Sequence, residues 1–116
     1  MPDSQKDLHK KLLGKKGEAL AAKYLKKLGY KLLAKNYRTP FGEADLIFSH
    51  GEQTVFVEVK TRTSTAFGEA KEAVDKFKQA RYRKIALYFG KGVEPNARFD
   101  VVEVYPDTIN HIINAF

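Results

Sequence analysis

The chain has no cysteine among its 116 residues, which excludes a disulfide framework and a thiolate zinc site and fits a reducing cytosol. It also lacks any apolar run long enough to span a bilayer. The opening MPDSQKDLHKK is charged, with no hydrophobic signal-peptide segment behind it. A cytoplasmic protein with no membrane partner is therefore expected. No internal repeat, linker or low-complexity tract is visible, so residues 1–116 are expected to form one domain, with 1–11 frayed. At this length folding buries roughly two-thirds of the unfolded surface, enough for a core without covalent staples. Acid is in deficit: 14 Asp and Glu stand against 21 Lys and Arg, and the pI is about 9.6. That balance favours a polyanionic partner such as nucleic acid.

What is present begins with strong helix formers from Ser4, a possible N-cap, to Leu28, with Gly29 as the C-terminal stop. Leu13, Gly17, Leu20, Ala21, Tyr24, Leu25 and Leu28 recur at helical spacing and mark a packing face, with a firm start near Leu13. Gly14 and Gly17 weaken the middle by about 1 kcal/mol each relative to Ala, which implies close approach to another backbone or a break. Tyr30 to Tyr37 reads as a strand closed by a turn over Arg38 to Gly42. After a loop at Ser64 to Gly68, a second helix runs from about Ala73 to Phe89, with Asp75 as cap of its main part from Lys76. Its expected core stripe is Val74, Phe77, Ala80, Arg81, Ile85 and Tyr88. Ala97 to Tyr105 is a strand apolar on both faces, and Ile109 to Asn114 adds a short edge strand. The order αβββαβ, with a small extra strand, predicts an α/β fold with a mixed sheet.

The most informative stretch is Gly42 to Arg62. Two β-rich runs, Ala44 to Ser49 and Thr54 to Thr61, flank Gly51-Glu52, a hairpin signal. Pairing across that turn sets Asp45 opposite Glu58 and Glu43 opposite Lys60. Alternation then puts Glu43, Asp45, Ile47, Phe56, Glu58 and Lys60 on one face and Leu46, Phe48, Val55, Val57 and Val59 on the other. A slip of one residue would send the two carboxylates to different faces.

Two carboxylates about 5 Å apart at Cβ are hard to ionise together without a cation between them. A hard divalent ion such as Mg²⁺ accepts one or two carboxylates, waters and phosphate oxygens, so Asp45 and Glu58 form a candidate metal site. The carbonyl of Val59 could complete the protein's share. Lys60 could hold an attacking water and oppose phosphoryl charge. Glu18 lies at the border of the first helix's apolar face, either solvated or turned into a cleft over the sheet. Glu58-x-Lys60 alone is also what a solvated strand face presents; its weight comes from Asp45 in register and from the basic surround.

Asp45-(x12)-Glu58-x-Lys60 resembles the active-site signature of the PD-(D/E)xK, or restriction-endonuclease-like, nucleases. The chain more closely resembles the YraN-like family of predicted endonucleases, distantly similar to archaeal Holliday-junction resolvases. The likeness extends over Gly17-Glu18 with Ala22 and Tyr24-Leu25, Asn36-Tyr37-Arg38, Gly42 to Ile47, Val55 to Arg62, Phe67-Gly68, Arg98 to Val102 and Asn114-Ala115-Phe116. Ala44 stands where the superfamily's name has proline. The resemblance implies a restriction-endonuclease-like αβββαβ core in which Asp45 and Glu58 bind Mg²⁺ or Mn²⁺, Lys60 assists the water, and Glu18 completes the site.

Asp100 and Asn36 match the family pattern, but a strand-end Asp and a turn Asn read as structural. His9, His50 and His111 have no ligand spacing and read as solvated. Tyr82 and Tyr88, on a basic helix, could stack on bases, although Tyr88 fits the core stripe better. The lysines at 10, 11, 15, 16, 23, 26 and 27 become candidate phosphate contacts beside such a site. The expected function is metal-dependent hydrolysis of DNA phosphodiesters, on branched or junction DNA, by a homodimer if both strands of a symmetric junction are cut. The alternatives are a non-catalytic nucleic-acid-binding module of the same fold, and an interaction protein whose charge is incidental.

Overall fold

The computed structural model describes residues 4–63, 75–92 and 96–116, with side chains from residue 13 onward. The elements are α1 (Ser4–Lys27), β1 (Lys31–Thr39), β2 (Gly42–His50), β3 (Gln53–Thr61), α2 (Lys76–Phe89), β4 (Ala97–Val104) and β5 (Ile109–Ile112). This is the α/β order expected. The fraying of 1–11, the Ser4 cap, His9, the lysines at 10 and 11, the 64–68 loop and Val74 lie outside the described residues or side chains.

Five strands form one sheet in chain order, antiparallel throughout except for the parallel pair β3–β4, which is joined through α2. The helices cover opposite faces. Ala21, Ala22 and Leu25 of α1 pack on Leu46, Phe48, Val55 and Val57, while Tyr82, Ile85 and Ala86 of α2 pack on Ala44, Ile47, Phe56 and Phe99. Every residue of β4 after Ala97 is buried, as a strand covered on both sides requires. No helix among the described residues is long and apolar enough to cross a membrane.

Helix α1 begins at Ser4 rather than near Leu13, and runs through Gly14 and Gly17 without a break. Close approach explains Gly17: a Cβ there would collide with Oγ1 of Thr61 on β3. Gly14 faces open space. Asp75 caps α2 as expected, accepting from the Lys78 N–H at 2.8 Å. The buried stripe of α2 is displaced from the expected one. Tyr82, Ile85 and Ala86 are inside, whereas Phe77 is 84% and Tyr88 47% exposed and Arg81 is exposed. Because Tyr82 turns its hydroxyl onto a carboxylate at the sheet surface, the helix is rotated away from its purely apolar seam.

Candidate active site

The β2–β3 register is the expected one from His50 opposite Gln53 to Leu46 opposite Val57. There the ladder stops, one residue short of Asp45 and Glu58. Asp45 Oδ2 accepts a hydrogen bond from the Val59 N–H at 2.8 Å, so a carboxylate stands in for the next rung.

Strand alternation breaks at the same level. Ala44 and Ile47 lie in one core cluster although their numbers differ by three, so the pleat of β2 inverts between them. On β1, Asn36 adopts φ 48, a left-handed conformation that Asn tolerates, and the next pair is Tyr37 opposite Ala44. The break changes the expected face of Glu43. It lies beyond the end of the β2–β3 ladder that would have paired it with Lys60, has Arg38 opposite it on β1, and reaches the α1 side. With its amide nitrogen toward the acids, Asn36 donates to Glu43 Oε1 at 3.2 Å and Glu18 Oε1 at 3.1 Å. Asn36 thus shapes the strand and bridges two acids.

These distortions open a cleft of about 600 Å³ lined by Glu18, Glu43, Asp45, Glu58, Val59 and Lys78, with Leu13, Gly14, Thr61 and Thr63 at its walls. Three elements therefore deliver carboxylates to one space: α1 gives Glu18, β2 gives Glu43 and Asp45, and β3 gives Glu58. Burial, Glu58 and Glu18 push the Asp45 carboxyl up to about 7 against the pull of the Val59 N–H. Burial also raises Glu18, helped by Glu43 and Glu58 and opposed by Asn36 and Lys15.

Glu58 has two partners on α2. Lys78 Nζ forms an ion pair with Oε2, and the Tyr82 hydroxyl donates to Oε1 at 2.8 Å. Burial and the nearby Glu58 and Asp45 carboxylates hold the Tyr82 phenol far above its usual range, so it is a neutral donor. Lys60 follows Glu58 along β3, half-buried, and is not among the residues lining the cleft. Sequence reasoning had missed Lys78 and Tyr82 as partners of Glu58. Their signal was available: they are one turn apart at the start of the helix that follows β3, and such a helix begins over the carboxyl end of its preceding strand.

A divalent cation needs hard oxygen donors, and Asp45, Glu58, Glu18 and the Val59 carbonyl are donors of that kind on the walls of one cleft. Among the described residues no group of three or more His, Cys, Asp or Glu side chains is placed to hold a metal ion as it stands. An open pair of carboxylates suits Mg²⁺, which keeps several waters.

A second buried polar cluster lies on β4. Asp100, fully buried, accepts from Arg98 Nε at 2.9 Å and Nη2 at 2.8 Å and from the Asn114 N–H at 3.0 Å, and contacts His111 Nε2 at 2.8 Å. Asp100 is structural, as expected. His111 is not solvated, because its ring is enclosed against this carboxylate. His50 is exposed and stacks on Tyr30 with ring centroids 4.0 Å apart.

A family model described as "Uncharacterised protein family UPF0102" matches residues 17–104. The chain is 48% identical to the UPF0102 protein TTE1452 of Caldanaerobacter subterraneus, covering 96% of this chain and 99% of the relative. It is 46% identical to a UPF0102 protein of Thermodesulfovibrio yellowstonii over 90% of this chain and 95% of that one, and 44% identical to one of Geobacter sulfurreducens over 100% and 97%.

Proposed function

The chain belongs to the UPF0102 (YraN-like) family, and we propose that it is a metal-dependent endonuclease acting on the phosphodiester bonds of DNA, with branched or junction DNA as the substrate. The observation that carries this reading is the meeting of Asp45 and Glu58 on the wall of one cleft where the β2–β3 ladder ends. Two acids in that relation leave a charge deficit that a cation satisfies.

Asp45, Glu58, Glu18 and the Val59 carbonyl would hold Mg²⁺ or Mn²⁺. Such an ion supplies an activated water and neutralises phosphoryl charge. Asp45 is oriented for this by the Val59 N–H, which fixes one carboxylate oxygen and leaves the other to the cleft. Tyr82 fixes Glu58 Oε1, while Oε2 is held by Lys78 and would reach an ion only on release from it. Lys78 is the cation in contact with Glu58 and is placed to meet a phosphate oxygen once released, whereas Lys60 keeps the water-assisting role that the family resemblance assigns to it. The net charge of +7 supplies the long-range attraction for a polyanion.

Labelled junction, flap, duplex and single-stranded DNA incubated with and without Mg²⁺ or Mn²⁺ test the reading. Metal-dependent products lost in Asp45→Ala and Glu58→Ala support it. Binding with no products would leave the non-catalytic binding module, a reading favoured by one specific observation: both Glu58 oxygens already have protein partners.

A further inference from the structure

The stripe of α2 that is turned out of the core carries two cationic side chains between two aromatic ones. Phe77, Arg81, Lys84 and Tyr88 recur at intervals of four, three and four residues and so lie along one flank of the helix. All four are exposed. The β1–β2 turn continues that flank. Phe41, 43% exposed, meets Tyr88 edge to face with ring centroids 6.3 Å apart, and Lys84 Nζ stands 5.8 Å over the Phe41 ring. Arg81 lies beside Gly42, at the start of the strand that carries Asp45. At 1.5 Å per residue the flank from Phe77 to Tyr88 is about 17 Å long. It begins one residue before Lys78, which lines the acidic cleft.

An apolar patch on a monomer is ordinarily interrupted by charges of both signs. Among the described residues of α2 no acid occurs at all, and the flank combines rings with cations only. Duplex DNA offers phosphates but keeps its base faces stacked inside. A single strand offers both phosphates and free π faces, which is the pairing of chemistries that this flank presents.

We propose that the Phe77–Arg81–Lys84–Tyr88 flank of α2, extended by Phe41, is a platform for single-stranded nucleic acid leading into the acidic cleft. About five stacked nucleotides fit its length at roughly 3.4 Å each. Phe41, Phe77 and Tyr88 stack on bases, and Arg81 and Lys84 hold the phosphates between them. The inference rests on the nucleic-acid reading of the cleft and specifies it: the unpaired arm of a branched substrate, not its duplex, lies along α2.

The test is fluorescence anisotropy with a labelled twelve-residue oligothymidylate and a twelve-base-pair duplex, on the full chain in metal-free buffer. Wild type should bind the single strand more tightly than the duplex. Phe41→Ala and Phe77→Ala should each weaken single-strand binding roughly 5- to 100-fold. Lys84→Gln should weaken it with a shallower salt dependence. Lys31→Gln, exposed on β1, is the surface-charge control, and thermal melts confirm that each variant is folded. Unchanged binding in folded Phe41→Ala and Phe77→Ala overturns the platform, as does equal or tighter binding of duplex. Platform-dependent binding with no cleavage under Mg²⁺ or Mn²⁺ removes the nuclease reading and leaves the platform standing. Absence of any binding removes both.

Discussion

Lys78 of α2 is ion-paired with Glu58 of β3, so the cation facing the candidate site's most buried acid comes from the helix after the strand and not from the strand itself. Lys78→Met leaves Glu58 beside Asp45 without that counter-charge. The expected result is a loss of about 1–3 kcal/mol in metal-free buffer, recovered when Mn²⁺ or Mg²⁺ is added. Thermal melts with and without metal check it, and a variant as stable as wild type in EDTA would show that the pair does not carry the charge of Glu58.

Asp45 predicts a pH dependence. Its carboxyl stands at about 7 in the folded chain against 3.8 as the ordinary value, so the folded state holds the proton more tightly than the unfolded one. Stability contributed by this group is present below about pH 4 and falls as pH rises to about 7, by on the order of 4 kcal/mol in total. Asp45→Asn retains an oxygen for the Val59 N–H and removes the titration. Urea unfolding at pH 5 and pH 8 in EDTA should show the variant gaining on wild type at the higher pH; an equal difference at both values refutes the assignment.

The two glycines of α1 should respond oppositely to alanine. Gly17→Ala drives a methyl into Thr61, with an expected cost of about 1–3 kcal/mol. Gly14→Ala meets nothing and should gain about 1 kcal/mol from helix propensity. Thr61→Ala combined with Gly17→Ala should recover part of the loss, read by chemical denaturation as a non-additive double mutant.

Asp100 is expected to be the larger structural element. Burial pushes its carboxyl up, but hydrogen bonds from His111, Arg98 and the Asn114 N–H outweigh burial and hold it below the usual range. Its contribution is therefore present above pH 4 and lost as pH falls below that. Asp100→Ala strands the buried Arg98 guanidinium and should cost about 3–5 kcal/mol, with a weaker acid transition than wild type in circular-dichroism titration.

The hairpin register, the Asp75 cap and the element order were legible because each depends on residues close in sequence: the Gly51-Glu52 turn fixes the pairing from His50 to Leu46. The inversion of the β2 pleat was not, since it lies beside a left-handed Asn36 on another strand and no pattern within β2 announces it. Tyr88 and Tyr82 exchanged places for a similar reason. Periodicity gives a helix's apolar angle to within a residue or two, and here a buried hydrogen bond to Glu58, 24 positions away, set the rotation. Glu18 could be read from its own helix as solvated or cleft-facing, and only the packing of α1 over β3 places it on the cleft wall.

Strand order in the sheet repeats strand order in the chain, and this bears on how the molecule assembles. Antiparallel neighbours joined by short turns have little loop entropy to overcome, and hairpins of this kind close in about 1–10 μs. The parallel pairing of β3 with β4 must wait for closure of a longer segment that includes α2. Asp45 and Glu58 are thus brought together in the earliest phase, before Lys78 and Tyr82 arrive to partner Glu58. The β2–β3 hairpin carries its own like-charge repulsion as it closes, and refolding should run faster in acid or in the presence of a divalent cation than in neutral EDTA.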